Sequence, residues 1–168
     1  MRATLLPVLV VPVVVSLALA ACASRTASSL LGREQLRAMG AAVAAMPCAN
    51  PIAVTTRDVR NVHDPAVTDQ VVETVCPGVT ALTYRANSKP GPRLLPVRVV
   101  FTQADPRLPP ALRVGAPIAG LAAVLGAPKA VTARAWTYPL AEDGGGEELI
   151  VEHRDGVITR ATWSWGLD

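Results

Sequence analysis

Two apolar runs near the C-terminus, Leu149 to Arg154 and Val157 to Trp165, meet at Asp155-Gly156, and the turn made there decides which side chains share a face. A two-residue loop would set Trp163 beside Ile150, Glu152 and Arg154, mixing a large ring with charges. A three-residue loop, Arg154-Asp155-Gly156 with Gly156 left-handed, instead gathers Leu149, Val151, Val157, Thr159, Ala161, Trp163 and Trp165 on one side. The second arrangement keeps the apolar set together and is the expected one. The residues just upstream supply a short helix to cover such a face. Pro117 can occupy its first turn, Ile118, Leu121, Ala122 and Leu125 form its apolar stripe, Gly126 can close it, and Pro128 prevents continuation. A further strand is expected from Ala133 to Leu140, then an acidic loop from Glu142 to Glu148 built around Gly144-Gly145-Gly146.

The first half can likewise be read as a helix followed by strands, without a convincing internal repeat between the halves. Leu36, Met39, Val43 and Met46 recur at spacings of three and four, which predicts a helix over Arg33 to Met46 ended by Pro47. Its methionines read as core filler, because a lone amphipathic helix must bury its apolar face. Strands are expected at Ile52 to Arg60, Val67 to Val75, Val79 to Tyr84 and Leu94 to Thr102, with turn chemistry at Asn61 to Pro65 and a hairpin at Pro77-Gly78. Asn87 to Arg93 is a loop, and Pro106 to Pro110 reads as the joint between an N-terminal half, 33–105, and a C-terminal half, 111–168. The expected fold class is α+β, with short helices packed on antiparallel sheet.

Before any of this comes an address. Met1-Arg2 precedes an apolar run from Leu5 to Ala21, interrupted by Pro7, Pro12 and Ser16, the layout of a secretory signal. A spanning helix needs about 20 apolar residues, and this run is shorter, carries prolines and ends in small residues, so residues 1–21 read as a removed segment. Leu19-Ala20-Ala21-Cys22 resembles the lipobox of bacterial lipoproteins, which implies that Cys22 is the acylated first residue of the mature chain. Ala23, where an Asp would retain the protein at the inner membrane, resembles the pattern sorted to the outer membrane. Each buried acyl CH₂ contributes about 0.8 kcal/mol, so several chains on one residue anchor a protein without a spanning helix. Residues 22–32, rich in Ser, Ala and Thr, suit a tether. Cys48 and Cys76 are then an even pair in an oxidising compartment and are expected to form a disulfide.

Gly115-Ala116-Pro117, Val124-Leu125-Gly126-Ala127-Pro128, Trp136-Thr137-Tyr138, Leu149-Ile150-Val151 and Arg154-Asp155-Gly156-Val157-Ile158 together resemble the SmpA/OmlA-type, BamE-like small lipoproteins of the outer-membrane β-barrel assembly machinery. The likeness runs from about Leu112 to Trp163, and the same helix-plus-hairpin pattern occurs in β-lactamase-inhibitor-like modules. It implies a helix packed on a sheet in the C-terminal half and a role among envelope proteins.

Chemistry is thinly represented. The chain lacks a G-x-S-x-G, a P-loop and a Gly-rich dinucleotide turn, and the adjacent His and acid His63-Asp64 lie in turn chemistry. His63 and His153 stand far from any metal-ligand spacing, and the flanking acids of the glycine run oppose phosphate. The 16 basic and 13 acidic residues are interspersed, without the stripe and interleaved aromatics of a nucleic-acid groove. Neither metal, cofactor nor nucleic acid is expected; the partners expected are membrane lipid through Cys22 and envelope proteins. Trp136, Tyr138, Trp163 and Trp165 hold four of the six aromatic rings. Trp136 and Trp163 are expected in the core. Trp165, close to the C-terminus, is harder to bury, and exposed beside Tyr138 it would be a partner-contact residue. The leading expectation is a lipid-anchored, periplasm-facing, non-enzymatic scaffold. An inhibitor-like module acting through the Glu142 to Glu148 loop and a small envelope hydrolase are the alternatives.

Overall fold

The hairpin at Asp155-Gly156 forms, but in two residues rather than three. Both residues take positive φ, 52° and 77°, and Arg154 pairs directly with Val157. This is the tight turn whose twist matches that of the flanking strands, and Asp-Gly tolerates the left-handed backbone it requires. The mixing of faces that such a loop threatens is avoided by a bulge. His153 pairs with Ile158 and Glu152 with Arg160, so Thr159 is an extra residue that resets the alternation. Leu149, Val151, Ala161, Trp163 and Trp165 are therefore buried as expected, while Val157 and Thr159 turn to solvent and Ile158 is buried instead.

The computed structural model describes residues 30–87, 91–141 and 146–166. In chain order it comprises α1 (Arg33–Ala45), β1 (Ala53–Arg60), β2 (Thr68–Cys76), β3 (Val79–Ala86), β4 (Arg93–Phe101), 3-10 turns at Pro110–Leu112 and Ile118–Gly120, α2 (Leu121–Leu125), β5 (Ala130–Val131), β6 (Ala135–Pro139), β7 (Glu148–Arg154) and β8 (Val157–Ser164). The strands form one antiparallel sheet in the order β1-β2-β3-β4-β8-β7-β6-β5. The protein is thus α+β, and the last strand inserts beside β4. The stretches 33–105 and 111–168 share this sheet, and the proline-rich segment between them crosses over it.

Two cross-strand rows make the covered face. One runs Cys76, Val79, Phe101, Ala161, Val151 and Trp136; the other runs Thr74, Ala81, Val99, Trp163, Leu149 and Tyr138. Against them pack Leu36 and Val43 of α1, Leu108 and Leu112 of the crossing segment, and Ile118 and Leu121 at α2. Trp163 lies at the centre. Its Nε1–H donates to the Leu36 carbonyl at 2.9 Å, and Phe101 meets it edge-on at 5.4 Å. Gly40 is what admits α1 so close, because a Cβ there would lie 2.4 Å from Trp163 Cδ1. The face α1 buries is accordingly Leu36, Gly40, Val43 and Ala44, with Met39 at its margin and Met46 exposed. Met46 follows the last helical turn, where the chain already leaves toward Cys48, and does not join the core as its spacing predicts.

The C-terminal helix is shorter than its stripe suggests. Ile118–Gly120 is a 3-10 turn and only Leu121–Leu125 is α-helical, closed by Gly126 at φ 78°. Ile118 and Leu121 are buried, but Ala122 faces solvent. Cys48 and Cys76 form the expected disulfide, with Cα atoms 6.1 Å apart, tying the exit of α1 to the end of β2.

Candidate functional site

Side chains alternate along each strand, so the register that builds the core also writes the opposite face. Its central row is Ala53, Val75, Thr80, Val100, Thr162, Ile150, Thr137 and Ala130, one residue from every strand. The row is uncharged and, apart from its two alanines, built of β-branched residues. Its six inner members are half-buried, shielded by their neighbours in the sheet while their outer surfaces remain open. α1, α2 and the crossing segment all contribute to the core on the other side. Val71 and Leu82 extend the apolar part of this surface, while Glu73, Arg98 and Glu148 lie in the next row. Seven strand spacings of about 4.8 Å make it roughly 34 Å wide.

β1 borders this surface and is unlike the other edge. Every residue of β1 except Val59 is exposed, and Ile52 and Val54 are 70% and 57% accessible. The opposite edge, β5, is two residues long. The loop after β1 is tightly ordered. Asn61 Oδ1 accepts from the N–H groups of His63 and Asp64, Asp64 Oδ1 accepts from Ala66 N–H, and Val62 projects from the tip at 88% accessibility. Buried Asp69 holds the base of this loop, accepting hydrogen bonds from Tyr84 Oη, from Asn61 Nδ2 at 2.6 Å and from Asn87 N–H at 2.7 Å.

The Tyr84 hydroxyl, then the Asn87 N–H, hold the Asp69 carboxyl below the usual carboxylate range against the opposing effect of burial, with Asn61 helping. A depressed folded-state pKa stabilises the fold above the unfolded value, and that stabilisation is lost as pH falls through the folded one. Stability of the wild type is therefore expected to drop on acidification below about pH 4, the ordinary Asp value. Asp69→Asn should start less stable and flatten this limb, and urea unfolding as a function of pH checks it. Parallel profiles for the two proteins would show that Asp69 contributes nothing to the acid limb.

The expected contact residues are not at the surface. Trp165 is 5% accessible and Tyr138 is 3% accessible, so neither can anchor a partner in this state. Trp165 is buried because pairing continues past the end of β8. The register shift in β4 leaves Val97 outside the ladder, and the Val97 carbonyl accepts from Trp165 N–H at 3.0 Å. Trp165 floors a groove of about 430 Å³ between α1 and the start of β4, lined also by Ala38, Ala41, Leu95 and Pro96. Tyr138 closes the second core row. Its hydroxyl has no hydrogen-bond partner, and burial pushes its pKa up to about 12.

The other candidates fall into structural roles or outside the described residues. The signal segment, the tether as far as residue 29 and Cys22 lie outside them, as do residues 142–145 of the acidic loop. Of the described acids of that loop, Glu147 accepts from Arg37 Nη2 of α1 at 2.6 Å and Glu148 lies 3.7 Å from Lys129. His63 and Asp64 serve the turn after β1 and are both exposed. His153 packs edge-on to Trp136, with ring centroids 6.4 Å apart. Among the described residues no three His, Cys, Asp or Glu side chains gather in a metal-binding group. What sequence reasoning missed is the eight-strand row, because it exists only once β8 lies between β4 and β7. No protein-family model, no curated protein and no solved structure matches this chain.

Proposed function

We propose that this is an exported protein, anchored in the outer membrane through lipid on Cys22 and facing the periplasm, that acts as a non-enzymatic scaffold for envelope proteins through the open face of its sheet. The observation that carries the reading is the uncharged row from Ala53 to Ala130, which crosses all eight strands opposite the core. An uncharged, largely β-branched strip bordered by charged residues is a composition suited to a protein-contact surface. The N-terminal pattern that resembles a lipobox supports the anchor. The likeness of Gly115 to Ile158 to the BamE-like lipoproteins supports a place in envelope assembly or maintenance, and the helix-on-sheet arrangement agrees with that likeness at the level of fold class.

The anchor and the open surface are compatible. The tether enters beside α2, where Leu31 N–H donates to the Val124 carbonyl, and Leu31 lines a cavity with Tyr138 and Pro139 of β6. β1 lies at the other end of the sheet, six strand spacings or about 29 Å from β6. A membrane-bound tether therefore leaves most of the open face and the whole β1 edge free.

The test is affinity purification of the full-length acylated protein from gently solubilised envelopes, beside Cys22→Ala and Thr162→Arg. The wild type is expected to recover barrel-assembly components. Cys22→Ala should leave the membrane fraction, and Thr162→Arg, a charge set in the middle of the row, should lower recovery about tenfold, equivalent to about 1.4 kcal/mol. Undiminished recovery by a folded Thr162→Arg protein would overturn the assignment of the surface.

A further inference from the structure

The two edges of the sheet are treated differently. β5 has two residues and is preceded by Pro128 and Lys129, so it offers little backbone to another chain. β1 has eight, Ala-Val-Thr-Thr-Arg-Asp-Val-Arg, with no proline, lysine or bulge, and all of its residues but Val59 are exposed among the described residues. One side of β1 is paired to β2 throughout, and on the other side no described strand meets its N–H and C=O groups. Proteins usually blunt such an edge, because it templates pairing with any exposed strand. Here it is left long and half β-branched, and its charges, Arg57, Asp58 and Arg60, are confined to its C-terminal half.

The charges on β1 limit what can pair with it. A two-fold axis normal to the sheet places residues of like parity opposite one another, so each candidate pairing of two β1 strands is centred on one residue. Centring on Arg57 opposes that guanidinium to its own copy, and centring on Asp58 opposes two carboxylates. Centring on Thr56 opposes no like charges. It sets Thr56 against Thr56, Thr55 against Arg57, Val54 against Asp58 and Ala53 against Val59, each pair on one face of the sheet. This register overlaps seven residues, whereas centring on Thr55 shortens the overlap to five.

We propose that β1 pairs antiparallel with β1 of a second copy of this chain, centred on Thr56, so that two eight-stranded sheets join edge to edge. The two-fold keeps both helices on one side and joins the two open faces, with the two rows offset by six residues along the strands because Ala53 of one copy faces Val59 of the other. Both tethers lie at the outer ends of the joined sheet, on the side of β6, so the two anchors do not obstruct the joint. The proposal stands on the edge geometry and not on the identity of any envelope partner.

Thr56→Cys in the full-length, membrane-anchored protein tests it directly. Thr56 is exposed and its side chain makes no hydrogen bond to another described residue, so the substitution leaves the fold intact. Mild oxidation is expected to shift most of the chain to twice its mass on a non-reducing gel, whereas Val131→Cys on the opposite edge should stay at single mass. Thr56→Lys, which opposes two ammonium groups on the axis, should halve the sedimenting protein mass in detergent while the chain stays folded, its thermal midpoint falling only to that of the wild type diluted to monomer. A Thr56→Cys protein that remains single, or that cross-links to a different polypeptide, would overturn the proposal. So would a Thr56→Lys protein that remains a dimer. Loss of the dimer with recovery of envelope proteins intact would leave the scaffold standing, and loss of that recovery in a chain that still cross-links would leave the dimer.

Discussion

Trp163→Ala is expected to destabilise the protein by about 3–5 kcal/mol, the range for removing a large buried aromatic ring. Trp163 is fully buried and its ring is held from three directions. Phe101 packs edge-on from β4, the Leu36 carbonyl accepts the indole N–H, and the bare backbone of Gly40 lies where a side chain would collide. Truncation leaves a cavity that α1 cannot follow the ring to fill, because the helix is pinned on both sides by Leu36 and Val43. It also leaves the Leu36 carbonyl one hydrogen bond poorer, though that oxygen still serves the helix ladder. Urea unfolding should show the loss as a lower midpoint at constant m-value. The cause can be separated from simple loss of apolar area with Gly40→Ala. In the wild type, its Cβ would meet the indole at 2.4 Å, so it should destabilise despite the better helix propensity of alanine. In a Trp163→Leu background the penalty should shrink or reverse. An unchanged Gly40→Ala cost in both backgrounds would mean that the close approach of helix and ring is not what limits this site.

The same hairpin shows how far residues alone specify the structure. Its apolar set, Leu149, Val151, Ala161, Trp163 and Trp165, was legible because a buried face tolerates only one parity over most of its length. The local means of reaching that parity was not legible. A three-residue loop and a two-residue loop followed by a bulge produce the same alternation beyond Arg160, and they differ in whether Val157 and Thr159 or Ile158 face the core. Each alternative offers the core an apolar β-branched residue, and threonine is accommodated on either face of a sheet, so composition does not separate them. Trp165 is a different case. Its parity with Trp163 already placed it on the covered face, and only its nearness to the chain end argued for exposure. Continued pairing of its backbone to the Val97 carbonyl decides the matter, and that depends on a bulge in a strand more than sixty residues earlier.

The open row was illegible for a topological reason. Each member is an ordinary solvent-side residue of its own strand, and Thr80, Val100 and Thr162 become neighbours only through the insertion of β8 beside β4. Local patterning identifies strands and their buried parity. It does not order strands that are joined by a long crossing segment, and here the order creates the candidate surface. The disulfide, by contrast, followed from counting thiols, since the expected acylation of Cys22 left Cys48 a single possible partner.

Replacing that disulfide with Cys48→Ala/Cys76→Ala is expected to cost about 3–4 kcal/mol, from the entropy of closing a loop of this length. The sequence separation is 28 residues, and the loop so closed contains the whole of β1 and nearly all of β2. This placement predicts more than a uniform loss. Among the described residues β1 pairs with β2 alone and is exposed on both faces, so apart from the cross-link its order depends on one ladder and on the Asp69 network at the far end. At the near end, Cys76 is anchored in the core beside Val79, and the bridge carries that rigidity to Cys48 and hence to the start of β1. Without it, β1 should open before the sheet as a whole does. Denaturant unfolding of the double variant measures the global cost, and amide hydrogen exchange locates it. Protection should collapse in residues 53–60 while β7 and β8 fall only with global stability. A loss below about 1 kcal/mol, or equal loss of protection in β1 and β8, would show that the cross-link acts on the unfolded chain alone or not at all. A selective loss in β1 would make the disulfide the element that keeps the long edge strand formed, and reduction should then abolish pairing through that edge before it unfolds the protein.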